Sequence, residues 1–259
     1  MKVDLEAALE RFLPRRGVPP ALAAALRYTL FNAGKRFRPV LVLETCAALG
    51  GDLRQALPAA CAVEYIHTYS LIHDDLPSMD DDALRRGKPS SHVKFGEAMA
   101  VLAGDALQAA AFGALARTPD GRLVPALLDA LAEGSGAAGM CGGQALDLAR
   151  RASLEEIHLK KTAALIACAT RMGAIAAKSK RVKELTAYGR AVGLAFQAVD
   201  DILDAHERGR KNFAVLHGVE AARRYARRQV ESARRAVAFL GKRGRRLMDI
   251  AESALARDK

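Results

Sequence analysis

Apolar residues recur at spacings of three and four along almost the whole chain, the period of helices that bury one face. Gly and Pro cut the pattern into helical lengths. The spacing predicts helices near 4–13, 20–35, 38–49, 54–75, 91–116, 121–138, 153–177, 181–205, 219–240 and 242–257. No segment carries the strict alternation of a half-buried strand. The punctuation at Gly50-Gly51, Thr118-Pro119-Asp120-Gly121 and Gly134 to Gly143 is too short for domain linkers, and no repeat runs at a solenoid period. One all-α domain spanning 1–259 is the expected architecture.

Composition agrees with that reading. The 259 residues contain no Trp, only 5% aromatics and abundant Ala, Leu and Arg, which favours helix over strand. Mean hydropathy is close to zero and 27% of residues are charged, as in a soluble globular chain. Runs such as Ala98 to Phe112 include Gly104, Asp105 and Gln108, so no stable membrane anchor is expected. Asp4 and Glu6 stand where a signal peptide would begin its apolar stretch. Cys46, Cys61, Cys141 and Cys168 lack paired zinc spacing and read as buried thiols of a reducing cytoplasm.

The formal charge of +11 is unevenly placed: from Ala205 onward there are 15 Lys/Arg against 6 Asp/Glu, a local +9. Such a segment suits a nucleic-acid patch, a membrane-surface helix or a lid over an anionic substrate.

Two acidic groups change the picture more. His73-Asp74-Asp75-Leu76-Pro77-Ser78-Met79-Asp80-Asp81-Asp82 places five carboxylates in nine residues after an apolar helix. Pro77 disfavours helix at Leu76, so the acids are expected at a rim where the helix opens out. Helix C-termini carry partial negative charge, which makes the cluster costly without cations. Asp200-Asp201-Ile202-Leu203-Asp204 forms a second group, with Gln197, Asp200 and Asp204 on one helical face. Two aspartate-rich motifs beside apolar neighbours point to a hard cation, and magnesium characteristically bridges a few carboxylates to substrate phosphates. Lys35 and Arg38, three apart in Gly34-Lys35-Arg36-Phe37-Arg38-Pro39, and Arg85-Arg86-Gly87-Lys88 supply matching positive charge for a diphosphate.

With these residues the chain resembles the trans-polyprenyl diphosphate synthases, most closely the bacterial farnesyl diphosphate synthase type. The likeness covers nearly the whole length. It rests on Gly34 to Pro39, His67-Thr68-Tyr69-Ser70-Leu71-Ile72-His73-Asp74-Asp75, Asp82 to Pro89, Gly104-Asp105-Ala106-Leu107, Gly143-Gln144-Ala145-Leu146-Asp147-Leu148, Lys161-Thr162 and Phe196-Gln197, in that order. The resemblance implies a bundle of ten or more helices around a deep cavity, usually a homodimer. It also implies condensation of isopentenyl diphosphate with dimethylallyl or geranyl diphosphate, releasing pyrophosphate. Asp74, Asp75, Asp80, Asp200 and Asp204 would form the metal site, for three magnesium ions. Lys35, Arg38, His67 and Arg86 would bind isopentenyl diphosphate; Arg85, Lys161 and Lys211 the allylic diphosphate; and Lys161, Thr162 and Gln197 would act in the reacting region. Tyr69 and Ser70, one turn or more below Asp74 at about 1.5 Å per residue, would limit product length at a farnesyl chain. Geranyl and geranylgeranyl lengths are the alternatives.

The segment after Asp204 is shorter than the family's, and one expected lysine lacks a counterpart. Arg208 or Arg210 would replace its charge, and Arg257 or Lys259 would lie close to the site. A class I terpene synthase on the same fold is the competing enzyme. It usually carries an Asn/Ser/Glu second metal motif and needs no second diphosphate site. A nucleic-acid-binding helical protein is the non-enzymatic alternative. The tail lacks an aromatic stacking platform, so no nucleic-acid partner is expected and the basic tail reads mostly as solvated helix surface.

Overall fold

A computed structural model describes residues 4–32, 34–149, 152–206 and 212–256, so Arg208, Arg210, Lys211, Arg257 and Lys259 lie outside the described residues. The chain is all-α, as its periodicity predicts. The N-terminal half comprises α1 (Leu5–Phe12), α2 (Pro20–Leu30), α3 (Phe37–Ala48), α4 (Leu53–Asp74), α5 (Ser91–Phe95) and α6 (Glu97–Leu115). Then follow α7 (Val124–Ser135), α8 (Met140–Ala149), α9 (Leu154–Ile157), α10 (Ala164–Ala176) and α11 (Val182–Leu203). The last elements are α12 (Phe213–His217), α13 (Val219–Val237) and α14 (Arg245–Ser253).

Helix α4 is the axis of the bundle. Asp52 caps its N-terminus by accepting from Arg54 N–H, and nearly every residue from Ala56 to Ile66 is buried. It packs on α3, α6 and α10, while α11 packs on α10 and α13. One apolar core runs from Leu9 in α1 to Ala251 in α14. Helix α6 is long and apolar enough to cross a membrane by length and composition, but its Ala103, Leu107 and Ala111 face are buried in the bundle.

The structure departs from the periodicity in four places, each with a local cause. Residues 91–116 do not form one helix: Gly96 at φ 86° breaks α5 from α6, a conformation an L side chain rarely adopts. Helix α8 occupies a stretch whose glycines read as a turn. Gly143 is there for close packing, since a Cβ on it would lie 2.1 Å from Lys161 N. A two-stranded hairpin, β1 (Leu84–Arg85) and β2 (Lys88–Pro89), turns at Arg86-Gly87 with φ of 54° and 75°. Strands of two residues are too short to leave a period-two signal. Finally, a π-helical segment, His158–Ala163, joins α9 to α10 and carries Lys161 and Thr162. Such segments are concentrated at functional sites.

Candidate active site

Two adjoining cavities flank the C-terminal half of α4, and the C-terminal part of α11 faces it across the second. The first, about 410 Å³, is mostly apolar and runs beside α4 among Tyr69, Ser70, Met79, Met140, Cys141 and Leu148, with Asp74 and Lys161 also in its wall. The second, about 720 Å³, is lined by Lys35, Arg38, His67, Arg85 and Arg86, with Gln197 and Asp200 opposite. Arg38, His67, Leu71 and Thr162 line both.

Positive side chains outnumber negative ones in the lining of the second chamber. Arg38 is half-buried, and its Nε is shielded from solvent with no hydrogen-bond partner. Burial lowers its pKa to about 10 despite the opposing pull of Glu64. His67 is held well below its ordinary pKa, first by burial and then by Arg38 and Arg86, so it is neutral. Burial likewise lowers Arg86, whose Nη1 donates to the Asn32 carbonyl at 2.8 Å. Its left-handed φ is that of the two-residue hairpin turn that carries it. A dianionic ligand would relieve all three. Lys35 lies exposed at the mouth.

Helix α4 ends at Asp74, as Pro77 predicts. The chain then loops back, with Asp80 N–H donating to the Asp74 carbonyl at 2.9 Å, which stations Asp80 beside Asp74. Burial pushes the Asp74 carboxyl up to about 6; Lys161 opposes this and Asp80 adds to it. Asp75 behaves differently. It is buried, accepts from Arg85 Nε at 2.9 Å, and lines neither large cavity. Its placement with Asp74 in one metal set is therefore revised: adjacent helical residues point about 100° apart, and Arg85 already occupies its carboxylate.

The second motif divides in the same way. Asp200 lines the cationic chamber. Asp201, only 4% exposed, accepts from Gln197 Nε2 at 3.0 Å and from Phe213 N–H at 2.8 Å, and its Oδ2 lies 3.4 Å from His158 Nε2. Thr162 Oγ1 donates to Gln197 Oε1 at 2.7 Å, so Gln197 links Thr162 to Asp201. Asp204 falls in a short 3₁₀ turn after α11. Lys161 Nζ donates to Asp147 Oδ2 at 2.6 Å at the wall of the apolar cavity.

Tyr69 and Ser70 both line the apolar cavity. The Tyr69 hydroxyl sits 3.2 Å from Cys141 Sγ, and Ser70 Oγ donates to the His67 carbonyl. Cys141 is exposed, against the expectation of four buried thiols; the other three are buried. The sequence pattern gave no site role to Glu64, Asp147 or Cys141. Glu64 had a signal, as the one charge within the apolar run from Ala56 to Ile66, and it anchors Arg36 at 2.9 Å beside the chamber.

Among the described residues no three carboxylates, histidines or cysteines converge on one point. The donors are instead separate carboxylates facing a cavity, one of them, Asp74, short of positive charge. That arrangement suits a hard cation which takes most of its ligands from phosphate and water.

The Polyprenyl synthetase family profile matches residues 19–212. The farnesyl diphosphate synthase of Escherichia coli K12 is 44% identical over 260 residues, covering 89% of this chain and 86% of that protein. The geranylgeranyl pyrophosphate synthase 11 of Arabidopsis thaliana is 46% identical over 79% of this chain and 61% of its own length. Among solved structures, an apo FPP/GFPP synthase from Zymomonas mobilis superposes with a TM-score of 0.90 at 41% identity, covering 97% of this chain and 95% of that one. The fold and these matches define an all-α transferase, and the chain belongs to the polyprenyl synthetase family. Within it, the chain is a short-chain prenyltransferase. Membership implies a divalent-metal requirement.

Proposed function

We propose that the chain condenses isopentenyl diphosphate with dimethylallyl or geranyl diphosphate to give farnesyl diphosphate and pyrophosphate. The observation that carries this is a chamber lined by Lys35, Arg38, Arg85 and Arg86 that adjoins a carboxylate-edged apolar cavity. A cyclase would need only one diphosphate site.

Lys35, Arg38, His67 and Arg86 hold isopentenyl diphosphate in the larger chamber. Arg85, Lys161 and Lys211 hold the allylic diphosphate. Asp74, Asp80 and Asp200, with Asp204 at the edge, would hold up to three magnesium ions, which would supply positive charge to the departing pyrophosphate. Lys161 faces the same leaving group from the apolar wall. As the allylic carbon–oxygen bond breaks, the electron pair leaves with pyrophosphate. The C4 carbon of isopentenyl diphosphate then bonds to the allylic C1, and a proton passes from C2 to pyrophosphate. Thr162 spends its hydroxyl proton on Gln197, leaving oxygen lone pairs at the junction of the two cavities where positive charge develops. The apolar wall of Met79, Met140 and Leu148 keeps water from the cation. Tyr69, held against Cys141, closes the cavity at farnesyl length.

Residues 1–259 act as one domain of a homodimer in the cytoplasm; the continuous core supports the single domain, and the exposed Val101, Leu102 and Phe112 on α6 support the homodimer. Labelled isopentenyl diphosphate, each allylic starter and magnesium, followed by chromatography of the dephosphorylated products, tests the reading. Farnesol as main product is expected. No elongation with any starter refutes the proposal.

A further inference from the structure

Helix α13, within the basic C-terminal segment, lines neither cavity, and the structure gives it a definite shape. Helix α13 buries Ala222, Ala226, Val230, Ala233 and Val237 against the bundle. At about 100° per residue, its six arginines fall within the opposite arc, and all six are exposed. Arg223 is balanced by Glu220, and Arg234 by Glu231 and Glu252. Arg224, Arg227, Arg228 and Arg235 have no acidic side chain within 4 Å among the described residues. The turn that follows adds exposed Lys242 and Arg243, also without acidic partners. In the same turn Phe239 is 41% exposed, with the Arg181 guanidinium 5.1 Å from its ring.

We propose that this face of α13, with the Phe239 turn at its end, is a docking surface for an anionic lipid bilayer. Excess like charge on an ordered helix face repels itself unless an anionic partner covers it. A negatively charged leaflet presents a broad plane of such charge, and each nearby arginine adds to the attraction. An exposed aromatic ring among cations is the side chain that enters a headgroup layer, with its charged neighbours at the phosphates. Nucleic acid fits less well, because a convex helix face with one aromatic ring offers neither a groove nor a row of stacking platforms. Attachment of this kind is peripheral and salt-sensitive, with no buried span.

Co-sedimentation of the full chain with phosphatidylcholine vesicles, with and without phosphatidylglycerol, tests the assignment. Expected is binding at low salt to the anionic vesicles alone, released at high salt. The fourfold variant Arg224→Glu, Arg227→Glu, Arg228→Glu, Arg235→Glu should weaken binding by at least about a hundredfold. It should keep its helical signal and its prenyl transfer in vesicle-free buffer. A control with the same charge change elsewhere, Arg11→Glu, Arg15→Glu, Arg16→Glu, Arg54→Glu, should bind almost as the parent does. If the glutamate variant does not fold, the corresponding four Gln substitutions carry the comparison. No binding at low salt, equal binding to neutral vesicles, or an equal loss in the control overturns the proposal. So does tighter binding to a fluorescent RNA or DNA oligonucleotide than to anionic vesicles.

Discussion

The two aspartate motifs lie on different helices, more than a hundred residues apart, yet each splits its adjacent pair in the same way. At the end of α4, Asp74 faces a cavity while Asp75 is buried against Arg85. On α11, Asp200 faces the chamber while Asp201 is buried among His158, Gln197 and the Phe213 amide. They differ in their surroundings. Asp75 depends on one arginine carried by a hairpin, whereas Asp201 ties the π-helical segment, α11 and the start of α12 together. On the proposed function, each acidic doublet is two parts: one carboxylate for ligands and one that fixes the helix presenting it.

The largest effect should come from the outward pair. Asp74→Ala and Asp200→Ala should each lower kcat by about 10²–10³-fold, the scale for losing a preorganised electrostatic contribution, with the circular dichroism unchanged. The inward pair should respond in stability instead. Asp75→Asn and Asp201→Asn should each cost about 3 kcal/mol in denaturant unfolding, because removing one member of a buried charged network strands the other groups. Asp201→Asn should be the worse of the two, having more partners to strand.

Asp74→Asn sharpens the contrast further. Its carboxyl, at about 6 in the folded chain against an ordinary 3.8, is penalised when ionised. In chelator above pH 6 the variant should therefore melt higher than the parent, by an amount equivalent to a few kcal/mol at most. That advantage should shrink as pH falls through 6 towards 3.8, where the parent carboxyl is itself protonated. A variant that unfolds more easily at pH 8 would contradict the role given to Asp74. The smallest effect on rate is expected for Tyr69→Ala, which should lengthen the product beyond fifteen carbons, as read by chromatography. An unchanged product removes Tyr69 as the floor.

The long helices were legible because their apolar residues repeat over many turns; α3, α4 and α11 fall where the spacing puts them. Helix α8 was not, since glycines that permit close backbone contact, such as Gly143 against Lys161, cannot be told by sequence from glycines that turn a chain. The site was legible as two acidic and two basic groups. Which aspartate of the first pair faces the cavity was not, although the shared face of Gln197, Asp200 and Asp204 set Asp200 apart; what holds the other aspartate depends on the packed neighbours of each helix. Asp201 shows this most plainly: its partners come from residues 158, 197 and 213. The charged tail, a number in the composition, became a surface only when α13 showed one face buried and the other arginine-rich.

The division of labour is tested most directly by the thermal midpoints of the parent, Asp200→Asn and Asp201→Asn, with and without magnesium plus inorganic pyrophosphate. A ligand at a hundred times its Kd adds about 2.7 kcal/mol, so the parent should gain clearly. Asp200→Asn should start near the parent and gain almost nothing, while Asp201→Asn should start lower and still gain. An Asp201→Asn chain that melts with the parent and gains nothing, or an Asp200→Asn chain with the full gain, would contradict it.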